Sequence, residues 1–224
     1  MRTSEQVASF HTSMVERFGD DDASVNYHTA CYEACIPKTF WNVTSANVKY
    51  NEAAFKQCVL KYTARMSVAL RRGYSLLFTG DNGSGKTIFT SFVLTQALRR
   101  GHSAYYTTLA QLDADIKRGF HDPAADKRLS SLLDSDFVAI DEMGKEHFKA
   151  DSWLLTQLEL LLKRRYDDGD PMVLSTNLEY GALTKMYGAS IESMLEGKYV
   201  TVALEAGDYR KMAKARMGQE LGIR

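Results

Sequence analysis

Residues 74–87 read Tyr-Ser-Leu-Leu-Phe-Thr-Gly-Asp-Asn-Gly-Ser-Gly-Lys-Thr. The apolar run 74–79 has the length of a buried strand, and a glycine-rich turn closes it. Residues 80–87 satisfy G-x-x-x-x-G-K-[ST], and a helix is predicted over 86–100. Strand, glycine turn and helix together form the context in which this pattern cradles phosphate. Glycines let successive backbone N–H groups turn inward around an anion, and the helix start adds its positive end. The candidate cradle is Gly80, Asp81, Asn82, Gly83, Ser84, Gly85, Lys86 and Thr87. Lys86 is placed to reach β- and γ-phosphate oxygens, and the Thr87 hydroxyl to coordinate Mg²⁺. ATP and Mg²⁺ are the expected ligand and cofactor.

Downstream, 137–142 reads Phe-Val-Ala-Ile-Asp-Glu, an apolar strand ending in two carboxylates. Asp141 is placed to organise the Mg²⁺ shell and Glu142 to orient and polarise an attacking water. A water-activating glutamate favours hydrolysis over transfer to a small-molecule acceptor. Residues 171–177, Pro-Met-Val-Leu-Ser-Thr-Asn, form another apolar strand with a polar end. The Asn177 amide is a candidate to hold water against the γ-phosphate; its plainer reading is a turn or helix cap.

The rest of the chain alternates in the same way. Strands are predicted at 103–107 and 199–204, besides 74–79, 137–141 and 172–176. Helices are predicted at 51–72, 109–118, 125–133, 152–166, 179–195 with a break near Gly188, and 208–221. Strands alternating with helices indicate a parallel α/β sheet. Ahead of it, Val7, Phe10, Met14, Val15 and Phe18 recur at helical spacing over 4–18, and a shorter helix is expected over 27–35. This lead is acidic: Glu5, Glu16, Asp20, Asp21, Asp22 and Glu33 face only Arg2 and Arg17. The expected organisation is a helical docking segment at 1–35, a linker at 36–50 containing Pro37, and an ATPase domain at 51–224.

Composition narrows the class. The chain has 224 residues, 45% hydrophobic and 25% charged, which is ordinary globular usage and excludes a disordered or collagen-like chain. Its 28 basic and 28 acidic residues cancel, so nucleic-acid contact would need a local patch. The apolar stretches near 74–78 and 153–162 are too short or interrupted to span a bilayer, and no apolar segment of secretory type follows Met1. The odd cysteine among Cys31, Cys35 and Cys58 argues against a disulfide framework and for the cytoplasm. His28, Cys31 and Cys35 are spaced like the start of a zinc site, but lack a second well-formed ligand pair, so ordinary cysteines are expected.

The phosphate loop, the Asp-Glu strand end and the Ser-Thr-Asn strand end together resemble an AAA+ ATPase. Further stretches resemble the DnaC/DnaI helicase loaders and the related IstB transposition ATPases: Ile-Pro-Lys-Thr-Phe-Trp at 36–41, Asp-Glu-Met-Gly-Lys-Glu-His-Phe at 141–148, Leu-Leu-Lys-Arg-Arg-Tyr at 161–166 and Asp-Tyr-Arg at 208–210. The resemblance spans about 36–217. It implies a P-loop AAA+ core (ASCE class) with a five-stranded parallel sheet of order 5-1-4-3-2, and Arg210 touching the γ-phosphate from its own subunit. It implies ATP hydrolysis, assembly of copies on DNA or a partner, and loading of a replicative DNA helicase onto single-stranded DNA.

One family feature is missing. Loaders usually place an arginine finger near the short helix before the last strand, where this chain reads Ile-Glu-Ser-Met-Leu-Glu at 191–196. Its absence points to weak intrinsic hydrolysis or to a finger from elsewhere: Arg164, Arg165 and Lys185 are candidate replacements, and the plainer reading of the two arginines is that they pack or salt-bridge their helix. The resemblance also implies that Lys117, Arg118, Lys127 and Arg128, around the turn at 121–123, meet single-stranded DNA. Tyr105, Tyr106 and Phe120 are expected to offer stacking faces there. A second basic group, Arg210, Lys211, Lys214, Arg216 and Arg224, lies near the C-terminal end. Two other readings stand beside the loader: an IstB-like ATPase on duplex DNA, and a weakly hydrolysing nucleotide-binding adaptor.

Overall fold

The computed structural model describes residues 2–19, 21–46, 48, 51–119, 121–144, 153–205, 214, 217–219 and 221–223. Strands β1 (Ser75–Thr79), β2 (Ala104–Thr108), β3 (Phe137–Met143), β4 (Met172–Thr176) and β5 (Tyr199–Ala203) form one sheet in the order β2-β3-β4-β1-β5. All its pairings are parallel. This is the order that the resemblance implies, written from the other edge. Leu76 of β1 lies opposite both Val173 of β4 and Val200 of β5, so the strand that feeds the phosphate loop is interior to the sheet.

Helices cover both faces, which explains why β1 and β4 are buried along their whole length without alternation. Successive side chains still divide between the faces. Leu76 and Phe78 join Phe55, Phe89, Phe92, Ala139 and Val173 on one side. Leu77 joins Val138, Ile140, Leu158, Leu162 and Leu174 on the other.

The lead helices are α1 (Ser4–Phe18) and α2 (Asp22–Glu33). The first is closed by a capping box between Thr3 and Gln6. The second starts earlier than the sequence indicates, because Asp21 accepts from the Ser24 N–H as an N-cap. Cys31, Ala34, Ile36 and Trp41 are buried with Phe89 and Phe92, so this end of the lead rests on the sheet core. The Tyr106 N–H on edge strand β2 donates to the Ala34 carbonyl at 2.8 Å. Trp41, just beyond a 3₁₀ turn (Lys38–Phe40), donates Nε1–H to the Ile36 carbonyl and accepts from the Tyr27 hydroxyl at its own carbonyl.

The helix predicted over 51–72 is broken. It runs as α3 (Glu52–Ala54), a π turn (Phe55–Val59), α4 (Leu60–Ala64) and α5 (Met66–Arg72), with Arg65 outside helical geometry. The π turn sets Phe55 and Val59 into the core against α6 (Lys86–Leu98), where Phe55 meets Phe89 and Phe92. The remaining helices are α7 (Leu109–Arg118), α8 (Pro123–Asp134), α9 (Trp153–Asp168), α10 (Tyr180–Tyr187) and α11 (Ala189–Lys198). Gly188, at φ 87°, makes the expected break between the last two. The segment 145–148, most of the helix predicted over 208–221, Phe120, and Arg210, Lys211, Arg216 and Arg224 lie outside the described residues. Among the described residues no helix is long and apolar enough to cross a membrane.

Candidate functional site

The carboxyl ends of β1, β4 and β3 are neighbours, and the loops leaving them surround one cavity of about 390 Å³. Its wall includes Asn82, Gly83, Gly85, Lys86 and Thr87 from the first loop, Asp141 and Glu142 from the third strand, and Asn177 beyond β4. A crevice outside the carboxyl ends of parallel strands is where open α/β folds hold ligands.

The loop's backbone is demanding. Gly80 sits at φ 139°, and a Cβ there would lie 2.5 Å from the Leu204 carbonyl oxygen. Gly85, at φ 99°, turns the chain into α6. Lys86 is nearly buried, and its ammonium donates to the carbonyls of Gly80 (2.6 Å) and Asp81 (2.8 Å). The Gly80 and Asp81 carbonyls, with the Ser84 hydroxyl 3.4 Å from the ammonium, brace Lys86. Asn82, exposed at the rim, accepts from the Asn177 amide at 3.0 Å.

Asp141 is buried. Its Oδ1 accepts from the Glu142 N–H at 2.9 Å and from the Ser175 hydroxyl, and its Oδ2 accepts from the Tyr106 hydroxyl at 2.7 Å. Burial and the adjacent carboxylate push the Tyr106 hydroxyl far above its ordinary pKa, so it remains a donor. Glu142 has φ 63°, where a residue with a Cβ is strained, beside the irregularity in β3–β4 register between Ile140 and Met143. That kink carries Glu142 to the cavity wall while its neighbours Asp141 and Met143 stay buried.

Thr87 and Asp141 border the same cavity, and oxygen donors such as theirs suit a hard cation such as Mg²⁺. Among the described residues no three His, Cys, Asp or Glu side chains come together to hold a metal ion, and Cys31 is a buried free thiol.

Other expectations are corrected. Tyr105 and Tyr106 are not stacking faces: both are buried in β2, and Tyr106 is committed to Asp141. Arg165 cannot be a finger. It is fully buried and donates to the carbonyls of Leu132, Leu133, Ser135 and Pro171. Arg164 and Lys185 are exposed, with Arg164 3.8 Å from Asp168. In the stretch at 191–196, Ile191, Met194 and Leu195 serve the core.

The four basic residues around 121–123 do not behave alike. Arg128 turns inward and holds the buried Asp115 through Nε and Nη2, at 2.8 and 2.6 Å. Lys117 is exposed and pairs with Asp113, and Arg118 is exposed. Lys127 borders a separate cleft with Arg2, His11 and Glu33. Phe40 and Ile88, which also line the main cavity, had no place in the motif reading, although Phe40 lies within the 36–41 stretch.

Fold and cavity define a P-loop protein of the AAA+ type. The chain belongs to the IstB-like ATP binding protein family, whose profile matches residues 42–196. It is 28% identical over 120 residues to the ATP-binding protein of insertion sequence IS5376 from Geobacillus stearothermophilus, covering 54% of this chain and 47% of the relative. It is 26% identical over 140 residues to the replicative helicase loader DnaC of Escherichia coli, covering 61% of this chain and 56% of that protein. The chain thus spans about half the length of the curated relatives it matches. A solved DnaC helicase loader superposes with a TM-score of 0.66 at 17% identity, over 75% of this chain and 100% of the other.

Proposed function

We propose that the protein binds Mg-ATP in the main cavity and hydrolyses the β–γ bond, using the cycle as an assembly switch that loads a replicative DNA helicase onto single-stranded DNA. The observation that supports this best is the convergence of the phosphate loop, Asp141, Glu142 and Asn177 on one cavity. In this reading the backbone of 80–87 cradles the phosphates, and Lys86 exchanges its loop carbonyls for phosphate oxygens. Thr87 and Asp141 hold Mg²⁺, which would neutralise charge on the phosphates. Glu142 orients and polarises the attacking water. The Asn177 amide, positioned by Asn82, faces the γ-phosphate, and Arg210 senses it by the family resemblance.

The proposed organisation keeps residues 1–35 as a partner-docking segment, 36–50 as the connector and 51–224 as the ATPase domain, acting in the cytoplasm. Copies assemble on DNA or partner, and Lys117, Arg118 and Lys127 contact single-stranded DNA. Arg128 contributes by fixing the turn through Asp115.

A second reading, a transposition ATPase on duplex DNA, draws support from the IstB profile. The test is ATP turnover by the purified protein alone, with single-stranded DNA, with duplex DNA and with a replicative helicase. Stimulation by single-stranded DNA or helicase is expected. Stimulation by duplex DNA alone transfers the assignment to the transposition reading. Binding without turnover in every case leaves an adaptor, in keeping with the missing finger.

A further inference from the structure

Asn51 stands ahead of α3 in the left-handed region, at φ 48° and ψ 40°. Its side chain does not cap the helix. The carboxamide instead joins two distant segments. Nδ2 donates to the Ser84 carbonyl at 3.0 Å and lies 3.5 Å from the Glu205 carbonyl oxygen, while Oδ1 accepts from the Glu205 N–H at 2.9 Å. Donor and acceptor are both engaged, which fixes the amide's orientation.

The Ser84 bond bears on the phosphate loop. In a trans peptide the C=O of one residue and the N–H of the next point in opposite directions. Asn51 is absent from the cavity wall, whereas Gly85 is part of it. Holding the Ser84 oxygen toward Asn51 therefore turns the Gly85 N–H away from Asn51. Gly85 itself, at φ 99°, has no side chain to resist rotation of that peptide. The other half of the amide fixes residue 205, just past Leu204, whose N–H bonds the Thr79 carbonyl immediately before the loop.

We propose that Asn51 is a positioning residue for phosphate: it presets the Ser84–Gly85 peptide so that the Gly85 N–H faces the anion, and it ties that peptide to the chain leaving β5. The inference rests on the phosphate-site reading above.

The experiment compares Asn51→Gly and Asn51→Asp with the parent protein, and uses Lys86→Ala as the control for the site itself. Glycine keeps the left-handed backbone without strain and removes the carboxamide. Aspartate keeps an acceptor for the Glu205 N–H and replaces the donor to Ser84 by an oxygen. Affinity for ATP and for inorganic tripolyphosphate is measured by calorimetry, and thermal melting confirms folding. Exchange of the Gly85 amide is followed without ligand. Both variants are expected to bind both ligands about tenfold more weakly, the scale of one lost hydrogen bond, and to exchange the Gly85 amide faster. A purely structural role would lower the melting temperature and leave tripolyphosphate affinity unchanged. Parental affinity in Asn51→Asp overturns the proposal even if Asn51→Gly is weakened or fails to fold. If Lys86→Ala also binds like the parent, the phosphate-site reading falls and takes this inference with it.

Discussion

Tyr106 on β2 donates its hydroxyl to Asp141 Oδ2 on β3 at 2.7 Å. The register places Tyr106 opposite Ala139, so Asp141 is the diagonal neighbour on the same face, within reach of a tyrosine but not of a short side chain. Removing the hydroxyl frees one carboxylate oxygen to rotate. Tyr106→Phe is expected to leave metal-free ATP binding unchanged, raise the Mg²⁺ concentration needed for turnover and lower the maximal rate about tenfold, the scale of one hydrogen bond to a charged group. Titration of turnover with Mg²⁺ checks this; an unchanged metal dependence removes Tyr106 from the site.

Arg165 gives the opposite prediction, a large structural loss with no direct effect on the site. Its guanidinium joins the end of α8 to the start of β4, through Leu132, Leu133, Ser135 and Pro171. Arg165→Ala strands several buried carbonyls and opens a cavity. The cost should be on the order of 3 kcal/mol or more, or roughly 6–12 °C in melting temperature. ATP affinity in the remaining folded protein should match the parent. A stable variant with impaired trans-activation would restore the finger reading.

Glu142 should trade stability for chemistry. Its φ of 63° costs a residue with a Cβ roughly 1–2 kcal/mol, which glycine avoids. Glu142→Gly is therefore expected to melt a few degrees higher than Glu142→Gln, while both lose turnover and keep ATP binding. Turnover retained in Glu142→Gln removes the water-activating role, and a lower melting point in the glycine variant removes the strain argument.

Alkaline stability follows from the buried cluster under α2. Burial raises the Cys31 thiol from 9.0 to about 11. Burial, and then the neighbouring Cys31, raise Tyr27 from 10.0 to about 12, although Arg99 stacks 3.9 Å above its ring. Both groups stay protonated in the fold at pH values where the unfolded chain has released its protons. The unfolded state then binds fewer protons, so stability falls as pH rises. The contribution is complete below pH 9 and is lost as pH climbs through about 11 for Cys31 and about 12 for Tyr27. Urea midpoints measured from pH 8 to pH 11 should decline above pH 9. Cys31→Ala should flatten the first part of the decline; an identical slope assigns it to other groups.

Much of this molecule was legible from residue pattern. The motif at 80–87 announced its flanking elements, and the loop does join strand β1 to helix α6 at the cavity. Strands β1 and β4 centre on short apolar runs, 76–78 and 172–174, so their places are plain. The bend at Glu142 was not legible, because a left-handed glutamate leaves no mark in composition. Tyr106 looked like an available aromatic face because periodicity does not say which neighbour a hydroxyl meets. Arg165 was a candidate finger in a basic run, and which carbonyls it would meet was not legible, since they come from segments remote in sequence. Asn51 was invisible for the same reason: its partners at Ser84 and Glu205 are brought together only by the fold.

The interior position of β1 also sets an order of events during synthesis. Its partners are β4, beginning at Met172, and β5, beginning at Tyr199, both far along the chain. The loop at 80–87 leaves the ribosome long before either strand exists to hold it, and such distant pairings are slow to close. The nascent chain therefore carries its phosphate motif unsupported until almost everything downstream has emerged. Competence to grip a nucleotide arrives late, as a sign that translation has passed β5, and a chain truncated before Tyr199 would display the motif without the means to use it.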